Sequence, residues 1–136
     1  MAVAIPEKFR DLFEKPIVVA LVTVMPDGQP QATPVWAIYD GTYVIVNTAR
    51  GRQKDKNMQR DAKVTVLVID PANPYHWVEV RGRIADESEE TGLEVINALS
   101  AKYRGEPDYY KRNETMRGKE TRVTYKIEPL NITPKG

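Results

Sequence analysis

The chain has no cysteine, a single histidine and only two serines. Without cysteine, disulfides and thiol nucleophiles are excluded, and a cytoplasmic location is the expectation. The histidine is His76, and Ser88 and Ser100 fall in a stretch expected to be helical. Neither a Ser-His-Asp triad nor a histidine-based zinc site is readily assembled from these residues, so no metal site is expected. The glycines, at 28, 41, 51, 82, 92, 105, 118 and 136, are too scattered for a G-x-G-x-x-G loop, and no G-x-x-x-x-G-K occurs. The longest apolar run, "IVVALVTVM" (17–25), is too short to span a bilayer. The N-terminal "MAVAIPEKFRDLF" lacks a signal-peptide core, so no membrane partner is expected. A net charge of +1 argues against a nucleic-acid partner, which calls for a broadly basic face. An enzyme built from this composition would draw its reactivity from a bound cofactor.

The 136 residues suit one domain, 1–136, that buries roughly two-thirds of its unfolded surface. Six strands are expected, at 17–24, 31–39, 42–47, 63–70, 76–87 and 120–132, with "PDGQ" and "DG" as turns. Ile5, Phe9, Leu12 and Phe13 recur at helical spacing. A short helix is predicted over about 52–60. A longer one is predicted after Ser88, carrying Leu93, Ile96, Leu99 and Tyr103 on one face and stopped by Gly105. Residues 107–116 read as a further short helix. Strands joined by hairpins, with helices inserted late, predict a mainly β fold: a small six-stranded antiparallel barrel with peripheral helices.

Positive charge is concentrated in one place. "NTARGRQKDKNMQRD" (47–61) carries Arg50, Arg52, Lys54, Lys56 and Arg60 against only Asp55 and Asp61. A helix starting just after Gly51 points free N–H groups and the positive end of its dipole outward, which favours an anion. Arg52 and Lys54 oppose that dipole, and their placement makes sense if a negative ligand sits between them. Asn47 and Thr48, at the preceding strand end, are placed to add neutral hydrogen bonds. The same residues also suit a solvated amphipathic helix with Met58 in the core, and composition alone favours that.

Two further stretches carry a second possibility each. Pro34 in "TPVW" (33–36) cannot donate to a ladder, so it implies an edge, a bulge or a pairing gap. A gap leaves backbone groups free for a planar heterocycle, with Trp36 as a wall; taken alone, the stretch favours a plain edge strand with Trp36 in the core. In "YHWVEVRG" (75–82), Trp77, Glu79 and Arg81 alternate with Val78, Val80 and Gly82, so Trp77 is placed to pack on an aromatic ligand or on a partner chain, and His76 is a proton carrier or, more simply, a surface residue.

Together, "G-x-P-x-x-x-P-V" (28–35), "DG-x-x-x-x-x-x-T" (40–48), "G-R-x-K-x-x-N-M-x-R-D-x-x-V" (51–64) and "W-V-E-V-R-G-x-I" (77–84) resemble the pyridoxamine 5′-phosphate oxidase-like split β-barrel proteins. The likeness is greatest to the small members that use the deazaflavin coenzyme F-420, the B-type flavin/deazaflavin oxidoreductases. The resemblance implies an FMN-binding-protein-like split barrel and a homodimer with cofactor sites at its interface. It also implies hydride transfer from F-420 to a small unsaturated or quinone-like substrate; the alternatives are an FMN-dependent pyridoxamine-phosphate-oxidase-like protein or a non-catalytic flavin- or deazaflavin-binding protein. Arg52, Gln53, Lys54 and Asn57, with Asn47 and Thr48, would surround the cofactor phosphate. Pro34, Val35 and Trp36 would run beside the ring, and Trp77 would reach it from the partner chain. No catalytic residue is singled out.

Overall fold

The structure, a computed structural model, describes residues 2–136. Seven strands form one antiparallel sheet: β1 (Val19–Val24), β2 (Pro30–Val35), β3 (Ile38–Tyr39), β4 (Val44–Ala49), β5 (Lys63–Asp70), β6 (Asn73–Ser88) and β7 (Arg122–Lys135). Their order is β2-β1-β5-β6-β7-β4-β3. The two edge strands, β2 and β3, are joined by Trp36 and Ala37 alone, so the sheet must curl until its edges meet. This is the mainly β split barrel anticipated from the sequence.

The expected single strand 31–39 is two strands, giving seven instead of six. β2 pairs with β1, from Val24↔Pro30 to Val19↔Val35. β3 pairs with β4, Ile38 opposite Ile45 and Tyr39 opposite Val44. The chain changes partner between them, and side chains replace the missing ladder. The Ala37 N–H donates to Tyr103 Oη at 3.1 Å. Lys102 Nζ donates to the Ala37 carbonyl at 2.7 Å. Tyr103 Oη in turn donates to the Ile17 carbonyl at 2.6 Å. Pro34 lies on β2, an outer strand of the sheet order, where its missing N–H breaks no inner ladder.

Alternate residues of the strands fill the interior: Leu21, Val44, Val46, Val66, Val68, Val78, Val80, Tyr125 and Ile127 are buried. The N-terminal segment closes the core with Ile5, Phe9, Leu12 and Phe13, all buried. At about 1.5–3 kcal/mol for each fully buried large apolar side chain, this contact holds the segment down. It forms a 3-10 turn at Glu7–Phe9 and one turn of helix, α1 (Asp11–Glu14).

Helix α2 (Gln53–Arg60) follows Gly51, whose φ of +92° gives the sharp turn off β4. Met58 is buried beneath it. Helix α3 (Gly92–Arg104) begins later than expected, because β6 keeps its pairing with β7 through Ser88↔Thr124. Ser88 Oγ still accepts from the Thr91 N–H, so it caps a turn that precedes the helix. A Cβ at Gly92 would come within 2.0 Å of the Arg122 carbonyl, so α3 meets β7 where only glycine fits. Ile96 and Leu99 are buried as expected, but Leu93 is exposed. The segment read as a short helix over 107–116 is two 3-10 turns, Tyr109–Arg112 and Glu114–Met116, separated at Asn113 by a φ of −150°.

Candidate functional site

A cleft of about 290 Å³ opens where β2, β4, β7, the start of α2 and the middle of α3 converge. Val18, Pro34, Val35, Ile96 and Leu99 give it an apolar lining, with Trp36 and Tyr109 as aromatic members. Arg52, Lys54, Arg122 and Asn47 supply its polar groups. It therefore combines a hydrophobic slot with three cations, a pattern that fits a ligand with a flat apolar body and an anionic group.

The three cations are unequally compensated. Arg122 is buried, donating through Nε to Asn47 Oδ1 at 2.9 Å and through Nη1 to Glu120 at 3.1 Å. Arg52 is half exposed and reaches the same Glu120 only at 4.0 Å. Lys54 has no carboxylate within 4.0 Å among the described residues. Burial and the neighbouring Arg52 and Arg122 push its ammonium below the ordinary lysine value. A bound anion would relieve that repulsion. Thr48, also anticipated from the sequence, does not line the cleft; its Oγ1 is buried without a hydrogen-bond partner.

Arg50, two residues before Arg52, is different. Its guanidinium donates to Asp55 at 2.8 Å, Glu87 at 2.8 Å and Glu89 at 2.7 Å. Buried Asp55 also accepts from the Gly51 N–H at 2.9 Å and from Tyr125 Oη. Burial and then Asp55 raise the Tyr125 phenol well above its usual range. This network ties β4, α2 and the end of β6 together and fixes where α2 begins.

Of the residues anticipated from sequence, Pro34, Val35, Trp36, Asn47, Arg52 and Lys54 meet in the one cleft. Gln53 and Asn57 do not line it. Gln53 Nε2 donates to Asn57 Oδ1 at 2.8 Å. Asn57 is fully buried and donates to Thr23 Oγ1 at 3.0 Å, bracing α2 against β1. Trp77 lies elsewhere on its own chain. It borders a second hollow of about 490 Å³ on the outer face of β5 and β6, with Leu67, Ile69 and Pro74.

Arg122, Tyr109, Ile96 and Leu99 were not anticipated as lining residues. Arg122 carried no distinctive sequence signal, because it shares the polar face of its alternating strand with Thr124 and Lys126. Trp36 is held by stacking on Tyr103, centroids 5.3 Å apart and planes inclined by 14°, and Tyr109 meets it edge-on at 6.1 Å. That placement depends on α3 and on the turn after it, both more than fifty residues away in the chain.

Among the described residues, no cluster of three or more histidines or carboxylates is placed to hold a metal. No helix there is long and apolar enough to cross a membrane.

Comparison with known proteins is consistent with this geometry. An F420 reductase of known structure shares 32% identity over 95% of this chain and 98% of its own, with a TM-score of 0.80. A conserved hypothetical protein of Mycobacterium tuberculosis superposes at 0.74 with 24% identity, covering 98% of this chain and 86% of its own. The HupZ protein of Group A Streptococcus, at 17% identity and 0.68, covers 96% and 93% and shares the fold. No curated protein sequence matches the chain. The family model described as pyridoxamine 5′-phosphate oxidase matches residues 5–135, nearly the whole length. With its split barrel and the cleft beside α2, the chain belongs to the pyridoxamine 5′-phosphate oxidase family.

Proposed function

We propose that the chain is an oxidoreductase that binds a phosphate-bearing flavin-type cofactor in the β2–α2 cleft, with coenzyme F-420 as that cofactor. The observation that carries this is Lys54: a partly buried cation without a counter-ion, beside Arg52 and Arg122, in a cleft walled by Val35 and Trp36. The likeness to an F420 reductase along almost the whole of both chains supports F-420 over FMN. The family match keeps FMN as the second reading.

When bound and reduced, F-420 supplies a hydride from its ring carbon. The chain supplies the rest. Arg52 and Lys54 neutralise the phosphate and fix the cofactor's position. Pro34, Val35 and Trp36, which line the cleft, would hold the ring, with Trp36 braced by Tyr103. Val18, Ile96 and Leu99, which line the cleft, would exclude water from it once the cofactor is bound. The acceptor is a small unsaturated or quinone-like molecule.

The cleft of one chain leaves Trp77 outside. In the proposed homodimer, the outer face bearing Trp77 packs against the partner and completes its site. Sedimentation at micromolar protein should report a dimer; a monomer that still binds cofactor tightly contradicts this assembly.

Titration with F-420 and FMN in parallel, followed by turnover of the reduced cofactor, tests the function. Tighter binding of F-420, and substrate reduction without appreciable oxygen consumption, are the expected results. Protein that retains FMN through gel filtration and ignores F-420 refutes the F-420 reading but not the cleft.

A further inference from the structure

A third hollow, of about 440 Å³, adjoins the cofactor cleft and shares Arg52 and Tyr109 with it. Its other walls include Arg104, Arg112, Asn113 and Glu120. Three arginines thus face a single carboxylate, and that carboxylate is already engaged. Glu120 accepts from Tyr110 Oη at 2.8 Å and from Arg122 at 3.1 Å, and these bonds hold it below its usual range despite burial.

The arginines are placed differently from ordinary surface charges. The Arg104 guanidinium lies 5.0 Å from the ring centres of both Trp36 and Tyr109. Its Nη2 has only weak bonds, to Ser100 Oγ at 3.4 Å and the Tyr109 carbonyl at 3.3 Å, and its Nε is buried with no partner. Neither Arg104 nor Arg112 has a carboxylate within 4.0 Å among the described residues. Guanidinium groups gathered in a concave site with too few acceptors fit carboxylate or phosphate oxygens.

We propose that this hollow is a second anion subsite, in which Arg52, Arg104 and Arg112 hold a carboxylate or phosphate next to the ligand of the main cleft. The inference deepens the cofactor reading and rests on it for what occupies the adjoining cleft. Arg104 links the two sites physically, because it packs on the same Trp36 that lines the cleft. The anion has two possible sources: the substrate's own acidic group, or an acidic extension of the cofactor such as the glutamate tail of F-420.

Two arms of one experiment separate these. In the first, cofactor-free protein is titrated with citrate and followed by tryptophan fluorescence, since Trp36 contacts Arg104. Citrate should bind, and Arg112→Ala should weaken it on the order of tenfold, the equivalent of one charge-assisted contact. Lys119→Ala, which removes the same charge from an exposed position outside the hollow, should leave it unchanged. In the second arm, F-420 with its glutamate tail and F-420 with the tail cleaved are compared. A tail-borne anion predicts tighter binding of the tailed form, a difference that shrinks in Arg112→Ala, and loss of the citrate site once tailed cofactor is bound. A substrate anion predicts equal binding of both forms and citrate binding that survives cofactor loading. Absence of citrate binding together with equal affinity for the two cofactor forms overturns the subsite. Absence of any cofactor binding with citrate binding intact overturns the cofactor reading instead.

Discussion

Arg50 and Arg52 are two residues apart and belong to the same basic run, yet the fold treats them oppositely. Arg50 is enclosed by Asp55, Glu87 and Glu89 and serves the architecture. Arg52 and Lys54 turn to the cleft, where, among the described residues, Glu120 at 4.0 Å is the only carboxylate within 4.0 Å of Arg52 and none is that close to Lys54. The difference lies in which carboxylates other segments bring to the place. The end of β6 delivers its acids to one side of α2, while β7 delivers another arginine, Arg122, to the other. A charge run in sequence is therefore neither a site nor a solvated face until its partners are known. Arg50 is not available to a ligand, because its charge is already taken.

The sharpest way to break this contrast is to attack the neutralised half. Asp55→Ala leaves Arg50, Tyr125 Oη and the Gly51 N–H without their shared acceptor. Urea denaturation should register a loss of about 3 kcal/mol, in the range for removing one member of a buried ion pair. A loss below about 1 kcal/mol would mean that the network is ornamental to stability.

The uncompensated half should respond in ligand binding and hardly in stability. Lys54→Ala is expected to weaken cofactor affinity by about 1.5–3 kcal/mol, whereas Lys56→Ala, on the exposed face of α2, should do much less. Equal effects would reduce the cleft to a diffuse charge patch. pH adds a second reading of the same site. The Lys54 ammonium sits below its ordinary value in the free protein, and a bound anion raises it. Binding at alkaline pH should therefore take up protons, and affinity should fall as pH rises through the free-protein value. Calorimetry in buffers of different ionisation enthalpy measures the uptake.

A smaller effect is expected at the strand break. Tyr103→Phe removes the donor to the Ile17 carbonyl and the acceptor for the Ala37 N–H, at a cost of about 1–2 kcal/mol of stability. Turnover should drop further than stability alone explains, because the ring of Trp36 stacks on this residue at the break and the hydroxyl fixes the adjoining backbone.

Lys102, beside it, carries the smallest effect. Burial lowers its ammonium to about 8, against a weaker opposing pull from Glu14. Between that value and the ordinary lysine value of 10.5, the unfolded chain holds a proton that the folded chain does not. Stability contributed by this group therefore rises with pH across that window. Lys102→Met should flatten the slope; an unchanged slope would show that another group causes it.

The strand pattern was legible because each strand has one buried face, so alternation is written directly into the residues. Val64, Val66 and Val68 on β5, and Val78 and Val80 on β6, are where that alternation puts them. The break at Trp36–Ala37 was half legible. Pro34 announced an interruption, but the chain's change of partner from β1 to β4 depends on how far the sheet curls. The helix start at Gly92 was misjudged because Ser88 is a good cap locally, and the longer β6–β7 ladder overrides it. The resemblance implied a place for Asn57 at the cofactor phosphate; in the structure it is buried and donates to Thr23 Oγ1, on a strand whose position no local pattern encodes.

By itself, then, the sequence determined the mainly β class, the absence of thiol chemistry and the location of the basic turn after Gly51, since each follows from residue type and short-range periodicity. Only the tertiary structure decided which of those basic residues is free. Arg122 enters the cleft, and Glu87 and Glu89 reach Arg50, through strand register between segments dozens of residues apart. Counter-ion balance at close range is set by that register, because a shift of one residue would turn every one of these side chains to the opposite face of the sheet.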